Sequence, residues 1–143
     1  MARTRAFTPA AFVAVVAGGA IGVALRALFV VPLGSVDDAV LVPAVTLVIN
    51  LVGSFLLGLV VGWLDDRRPL TRAFFGTGLL GGFTTYSAFA VQVVELGGTA
   101  PVLSLVIAAV SLFGGVLFAA LGLRVGHAVV GAGDRVEPPE VAE

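Results

Sequence analysis

Long apolar stretches alternate with short polar segments along this chain. Four stretches contain at most one charged residue each, at positions 9–31, 39–64, 73–94 and 101–123. About 20 apolar residues in an α-helix are enough to cross the hydrocarbon core of a bilayer. The pattern therefore predicts an all-α membrane protein with four transmembrane helices.

The composition agrees with a membrane protein. Hydrophobic residues make up 59% of the 143-residue chain, charged residues only 12%, and the mean hydropathy is +1.12. A soluble domain has about 25% charged residues. The first apolar stretch continues well past its small residues, so we interpret it as a retained helix and not a cleaved signal peptide. We expect a multi-pass protein of the cell membrane.

The polar ends of the chain set the predicted domain boundaries. We expect a polar N-terminal head over residues 1–9 and a four-helix transmembrane domain over residues 10–125. Residues 126–143 form a polar C-terminal tail that we predict to be disordered.

The residue types in the chain argue against several function classes. There is no cysteine, and the one histidine, His127, lies in the predicted tail. Thiolate metal sites and a histidine-based catalytic triad are therefore not expected within one chain. No soluble domain is available to hold an enzyme, so we predict a protein that is not an enzyme. The net charge of −1 gives no reason to expect a nucleic-acid partner.

The third stretch has a composition that disfavours a continuous helix. Gly78, Gly81 and Gly82 fall within five positions, and hydroxyl-bearing residues crowd the run at 84–87. Each glycine weakens a helix by about 1 kcal/mol relative to alanine, and hydroxyls compete for backbone groups. Non-helical backbone at membrane depth is tolerated only against protein or a water-filled cavity. The sequence therefore predicts a broken third helix that lines a polar site.

Polar residues in the second stretch share one helix face. Thr46, Asn50 and Ser54 follow one another at intervals of four residues. An amide in the middle of a membrane is costly unless it is paired. Asn50 could provide an interhelical hydrogen bond worth about 0.6 kcal/mol or could line a polar pathway, and the shared face favours the pathway.

Three further positions are candidates with alternative interpretations. Arg26 either extends its guanidinium to the membrane interface or faces a protein interior or an anion vestibule. Tyr86 and Phe89 are either packing aromatics or present electropositive ring edges to an anion. Gln92 continues their spacing of three residues, and Ser111 shares a face with Ser104 in the fourth stretch.

The arginines are distributed unequally between the two ends of the predicted bundle. Four spans place both termini on the same side as the 65–72 turn, and the opposite turns hold no arginine or lysine. Because arginine and lysine near span ends bias a segment toward the cytoplasm, both termini are predicted to be cytoplasmic. The seven residues on that side are Arg3, Arg5, Arg67, Arg68, Arg72, Arg124 and Arg135.

Three motifs together closely resemble the Fluc/CrcB family of fluoride channels. The first is Gly18-Gly19-Ala20-Ile21-Gly22 followed by Arg26, the second is Asn50-x-x-Gly53-x-Phe55-x-x-Gly58, and the third is Gly81-Gly82-Phe83-Thr84-Thr85-Tyr86-Ser87-x-Phe89. The resemblance covers about residues 10–125.

The resemblance implies an antiparallel dimer of two four-helix subunits with two narrow fluoride pathways. The breaks in the two third helices would meet at the centre and hold one structural sodium ion through the backbone carbonyls of Gly81 and Thr84. Each pathway would be flanked by Tyr86 and Phe89, although Tyr86 stands where the family usually has phenylalanine. Asn50 would point at the ion. Thr46, Gln92 and Ser111 would fall on the polar track.

The function implied by the resemblance is passive, fluoride-selective export from the cytoplasm. The alternative is a small four-helix multidrug-type cation/proton antiporter, which needs a carboxylate within a span, whereas every acidic residue here lies at a span end or outside. Single-gene members of the family insert in both orientations, which requires almost no charge bias. We therefore hypothesise that this strongly biased chain pairs with a homologue of opposite bias, as a heterodimer, instead of forming a homodimer.

Overall fold

Four helices of the computed structural model are long and apolar enough to cross a membrane. They are Pro9–Ser35, Leu41–Leu64, Pro69–Thr99 and Pro101–Gly131, called the first to fourth spans below. The structure describes residues 8–36, 38–64 and 68–133, and the predictions for most of the N-terminal head and for the end of the tail lie outside those residues. The predicted all-α architecture with four spans is confirmed, and the chain is a multi-pass membrane protein.

Side chains just before the first two spans define where their helices begin. In the first span the α-helix is Pro9–Val30, and the Thr8 hydroxyl accepts a hydrogen bond from the Ala11 N–H at 3.2 Å. A 3₁₀-helix, Val31–Ser35, completes this span. Before the second span, Leu41–Leu64, the Asp38 carboxylate accepts from the N–H groups of Val40 and Leu41 at 2.8 and 3.2 Å. Such caps satisfy N–H groups that have no partner within the helix.

The third span contains two residues with extended backbone. Its first half consists of Pro69–Arg72 as α-helix, Ala73–Leu80 as π-helix and Gly81–Phe83 as α-helix. Thr84 then has φ −77° and ψ 159°, and Thr85 has φ −149° and ψ 120°. The second half is the α-helix Tyr86–Thr99, capped by the Thr85 hydroxyl, which accepts from the Ala88 N–H at 3.2 Å.

The fourth span continues further than its hydropathy predicts. It consists of Pro101–Ala109 as α-helix, Val110–Gly114 as π-helix and Gly115–Gly133 as α-helix. Residues 126–133, which the sequence analysis assigned to a disordered tail, are therefore helical. They are held because Gly126 lies directly against the backbone of Leu59 in the second span. Only Ala100 separates the third and fourth spans.

Glycines bring the spans together in two closely packed pairs. The first span packs on the first half of the third, where a Cβ on Gly22 would collide with the Leu79 carbonyl. The second span packs on Gly115–Gly133, where a Cβ on Gly122 would collide with the Phe55 carbonyl. Small residues permit this close backbone contact in lipid, where the hydrophobic effect does not drive helix association.

The second half of the third span joins these two pairs. It packs on Pro101–Ala109, and the Ser104 hydroxyl donates to the Val93 carbonyl at 2.5 Å. The same half contacts the second span. The extended residues Thr84 and Thr85 are thereby held beside the polar face of the second span.

Candidate functional site

Asn50 makes two hydrogen bonds to the extended backbone of the third span. Its side-chain Nδ2 donates to the Thr85 carbonyl at 3.0 Å, and its Oδ1 accepts from the Thr85 N–H at 2.9 Å. Both backbone groups of a residue outside a helix are thus satisfied by one amide. The interhelical hydrogen bond considered in the sequence analysis is therefore present, and it lies at the two extended residues of the third span.

Two backbone N–H groups near Asn50 and Thr85 donate to side chains and not to the carbonyls that they would meet in a continuous helix. The i+4 partner of the Gly81 carbonyl is the N–H of Thr85, which donates to Asn50 instead. The i+4 partner of the Thr84 carbonyl is the N–H of Ala88, which donates to the Thr85 hydroxyl. The two carbonyls assigned to sodium by resemblance are therefore left without those helical partners.

A cavity of 250 Å³ gathers most of the residues predicted to line a pathway. The ring centroids of Tyr86 and Phe89 are 6.0 Å apart, with their planes inclined at 50°. None of the described lining side chains carries a charge, so the site offers hydroxyl and amide groups together with aromatic edges. The lining residues are Asn50, Thr84, Thr85, Tyr86, Phe89, Ser111 and Leu112.

A second cavity, of 450 Å³, reaches Asn50 and Thr84 from the end of the bundle that carries the arginine-rich turn. It is lined by Gly81, Ser54 and Thr77 as well, and Arg72 stands among its lining residues. Asn50 and Thr84 line both cavities.

Three predicted residues carry buried polar atoms without a hydrogen-bond partner in the described part of the chain. They are the hydroxyls of Thr46 and Ser111 and the Nε of Arg26. Thr46 is 1% exposed and lies one helical turn from Asn50. An unsatisfied buried group costs about 1–3 kcal/mol and calls for a cause such as an unseen water or ion.

Gln92 lies away from the cavities at Asn50. It lines a separate groove of 680 Å³ together with the carboxylate-bearing residues Asp38 and Glu95. The structure thus brings Asn50, Tyr86, Phe89 and Ser111 together but leaves Gln92 in this groove.

Two features of the site are not predicted by the sequence analysis. Thr85 as the partner of Asn50 depends on tertiary packing, and nothing in the spacing of these residues indicates it. The π-helical segments Ala73–Leu80 and Val110–Gly114 contain or adjoin paired glycines, but their apolar pattern does not distinguish them from α-helix.

Among the described residues there is no group of three or more histidine, cysteine, aspartate or glutamate side chains that could hold a metal ion. Carbonyl oxygens are hard ligands suited to a hard cation such as sodium. Gly81 and Thr84, whose carbonyls lack helical partners, line the same cavity, so this donor set fits a sodium ion.

The fold and the site together define a multi-pass helical membrane protein with a polar site beside two extended residues of its third span. A family model described as "CrcB-like protein, Camphor Resistance (CrcB)" matches residues 13–123. The chain belongs to the CrcB family.

Three relatives show how far the similarity extends, and two of them are Bacillus proteins. "Fluoride-specific ion channel FluC 2" of Bacillus subtilis (strain 168) is 43% identical over 95 residues, covering 65% of this chain and 72% of that protein. The protein of the same name in Leifsonia xyli subsp. xyli is 39% identical over 122 residues, covering 81% and 75%. In Bacillus licheniformis a third protein of that name is 41% identical over 123 residues, covering 85% and 90%.

Proposed function

We propose that this chain is a subunit of a passive, fluoride-selective channel that lets fluoride leave the cytoplasm across the cell membrane. The observation that carries the proposal is the 250 Å³ cavity, where Asn50, Ser111, Tyr86 and Phe89 converge beside the interruption of the third span. The relatives named as fluoride-specific channels support the choice of ion. The role is transport and not catalysis.

The lining of this cavity suits a small, strongly hydrated anion. Fluoride sheds water only where good hydrogen-bond donors replace it, and the hydroxyls and the amide of the cavity are such donors. The positive edges of the two aromatic rings add a weakly attractive rim without a full charge that would trap the ion. In this proposal Thr46 and Gln92 extend the polar track away from the cavity, and Arg26 has a structural or vestibule role.

The two extended residues form the helix break of the channel in this proposal, and the break holds a structural sodium ion. The diverted N–H groups of Thr85 and Ala88 support this, because they leave the carbonyls of Gly81 and Thr84 as available ligands. The sodium ion supplies positive charge beside the pathway and is not transported.

We further propose that two subunits assemble in antiparallel orientation. In the single chain Tyr86, directly after the extended residues Thr84 and Thr85, is 81% exposed, and Gly81 is exposed three residues before them. Such backbone requires protein or an aqueous cavity around it at membrane depth. A second subunit would supply that cover and the second wall of each pathway. The strong arginine bias favours a homologous partner of opposite bias over an identical one.

The antiporter alternative finds no support in the arrangement of carboxylates. Asp38 and Glu95 lie in the 680 Å³ groove at span ends, and the cavity at Asn50 has no acidic residue among its lining. Proton-coupled exchange relies on titratable groups within the membrane. We therefore retain the channel as the only proposed function.

Flux from liposomes tests the proposal. Purified protein, coexpressed and reconstituted with a homologue of opposite bias, should release fluoride rapidly without a proton gradient and release chloride negligibly, whereas the chain reconstituted alone should release little fluoride. Phe89→Ile should lower fluoride flux because it removes a ring edge from the cavity, whereas Phe118→Ile, outside the cavities described above, should not. Fluoride flux that needs a proton gradient, or no flux in either preparation, would refute the channel.

A further inference from the structure

The fourth span contains a π-helical turn, Val110–Gly114, between two α-helical segments. A π-turn closes its hydrogen bonds from i to i+5 and so holds about one residue more than an α-turn. Such turns are rare inside helices and occur frequently at functional sites. This turn lies at the level of the cavity beside Asn50.

The π-turn is where the fourth span changes its packing partner. Before it, Pro101–Ala109 packs on the third span, fixed by the hydrogen bond from Ser104 to the Val93 carbonyl. After it, Gly115–Gly133 packs on the second span through Gly122. The first segment packs with one face on the third span, and the second segment packs with another face on the second span. The extra residue in the π-turn changes the rotation about the helix axis between these two faces.

Ser111 lies within this turn and is one of the residues that line the cavity. Its hydroxyl is buried without a partner in the described part of the chain, and it lines the 250 Å³ cavity with Asn50 and Phe89. Gly114 at the end of the turn keeps the second span close, since a Cβ there would lie 3.0 Å from Leu51 Cδ2.

We propose that the π-turn is a positioning device that points the Ser111 hydroxyl into the pathway as a hydrogen-bond donor to the passing anion. This inference rests on the proposed channel function and adds a requirement to it. The direction of the hydroxyl, set by the extra residue of the turn, is what conduction needs. A serine at the same level of a regular α-helix would point elsewhere.

Deleting one residue from the turn tests this directly. Without Val110 the span can form a continuous α-helix in which both flanking segments keep their packing faces, while Ser111 turns back toward the position that Val110 held. We expect fluoride flux to fall about tenfold or more, as in Ser111→Ala, the equivalent of one lost hydrogen bond to an ion. Val110→Ala is the matched control, because it keeps the residue count and should retain flux.

A rescue variant distinguishes the position of the hydroxyl from a general effect on structure. In the deletion, Leu112 takes approximately the place that Ser111 leaves, so adding Leu112→Ser should restore flux. A deletion that folds and conducts like the unmodified chain, or a deletion whose flux the added serine does not restore, would overturn the inference.

A second pair of variants applies even if the deletion does not assemble. In the intact turn, Ser111→Ala combined with Val110→Ser, or with Leu112→Ser, moves the hydroxyl by one residue. Both should conduct as poorly as Ser111→Ala alone, and full flux in either would overturn the inference. The flux of the unmodified chain distinguishes failure of the π-turn inference from failure of the proposed function. If the unmodified chain conducts and the variants conduct equally well, only the π-turn inference is refuted. An unmodified chain that does not conduct even with the coexpressed homologue refutes the proposed function as well.

Discussion

Asn50 serves two neighbouring features with one side chain. Its amide satisfies both backbone groups of Thr85, and it also lines the two cavities that meet at the interruption of the third span. One Nδ2 hydrogen is used on the Thr85 carbonyl, which leaves the second as the donor that can meet an anion. The residue thus couples the shape of the backbone to the chemistry of the cavity.

Exchanging this amide for a carboxylate should therefore affect both properties. Asn50→Asp cannot donate to the Thr85 carbonyl at neutral pH, and it places negative charge beside the proposed pathway. We expect fluoride flux to fall more than about tenfold and the free energy of unfolding to drop by about 1–3 kcal/mol. Liposome flux and thermal unfolding in detergent measure the two effects.

Gln92→Glu is the control for stability, because it makes the same chemical change in the 680 Å³ groove, away from the extended residues. Its unfolding midpoint should stay at that of the unmodified chain. A normal midpoint for Asn50→Asp would show that the two hydrogen bonds to Thr85 do not hold the interruption in place.

Sequence alone identifies Asn50 but not its partner. A lone amide among apolar residues, on one face with Thr46 and Ser54, stands out from spacing alone. The pairing with Thr85 joins residues 35 positions apart, and it depends on how the spans pack. The same limit applies to Ser111, whose direction is set by a π-turn that a hydrophobicity pattern does not encode.

At the level of the helices, glycine contacts determine which spans lie together. Gly122 and Gly126 of the fourth span lie against the backbone of the second, as Gly18 and Gly22 of the first lie against the third. Backbone in close contact leaves no room for even one added carbon.

Adding a methyl group at such a contact should destabilise the fold. In Gly122→Ala the Cβ would meet the Phe55 carbonyl, a backbone atom that cannot move aside cheaply. Overpacking of this kind costs about 1–3 kcal/mol. The unfolding midpoint and the fraction eluting as a single species in size-exclusion chromatography measure the loss.

Gly131→Ala provides the matched comparison in the same helix, since a Cβ there would have no neighbouring atom within 4 Å. That variant should behave as the unmodified chain does. Equal midpoints for both variants would mean that the close contact at Gly122 does not contribute to stability.

The number and approximate extent of the spans follow from the sequence, but their pairing does not. Length and hydropathy are sufficient for four spans, because each must cross the same thickness of lipid. Closely spaced glycines occur in all four stretches, so several pairings of the spans are compatible with the pattern. The helix of the fourth span runs past Arg124 and His127 to Gly133, and the polar composition of residues 126–143 does not indicate this end.

For the whole molecule, the distribution of arginine carries a prediction about orientation. Seven arginines lie on the side of the termini and none on the other, which favours a single orientation in the membrane. We expect a C-terminal tag to be accessible only from the cytoplasmic face. Expression of this chain alone should then give little fluoride flux, and coexpression with a homologue of opposite bias should restore it.

Protease protection of the tag in sealed vesicles measures the orientation. The control is the same chain with Arg67 and Arg68 replaced by glutamine, which should increase the share inserted the other way. A tag found equally on both faces of the membrane in the unmodified chain would contradict the paired arrangement and favour one chain inserted in both orientations.

The paired hydrogen bonds between Asn50 and Thr85 have a consequence for gating. Straightening the third span would require both hydrogen bonds to break, at a cost of about 1–3 kcal/mol. Such a segment is poorly suited to act as a hinge, so we expect the protein to have no gate at this point. A channel that stays open is tolerable for a cell only if it excludes nearly every other solute. Here that exclusion would depend only on how well an ion matches the size and hydrogen-bond donors of the cavity.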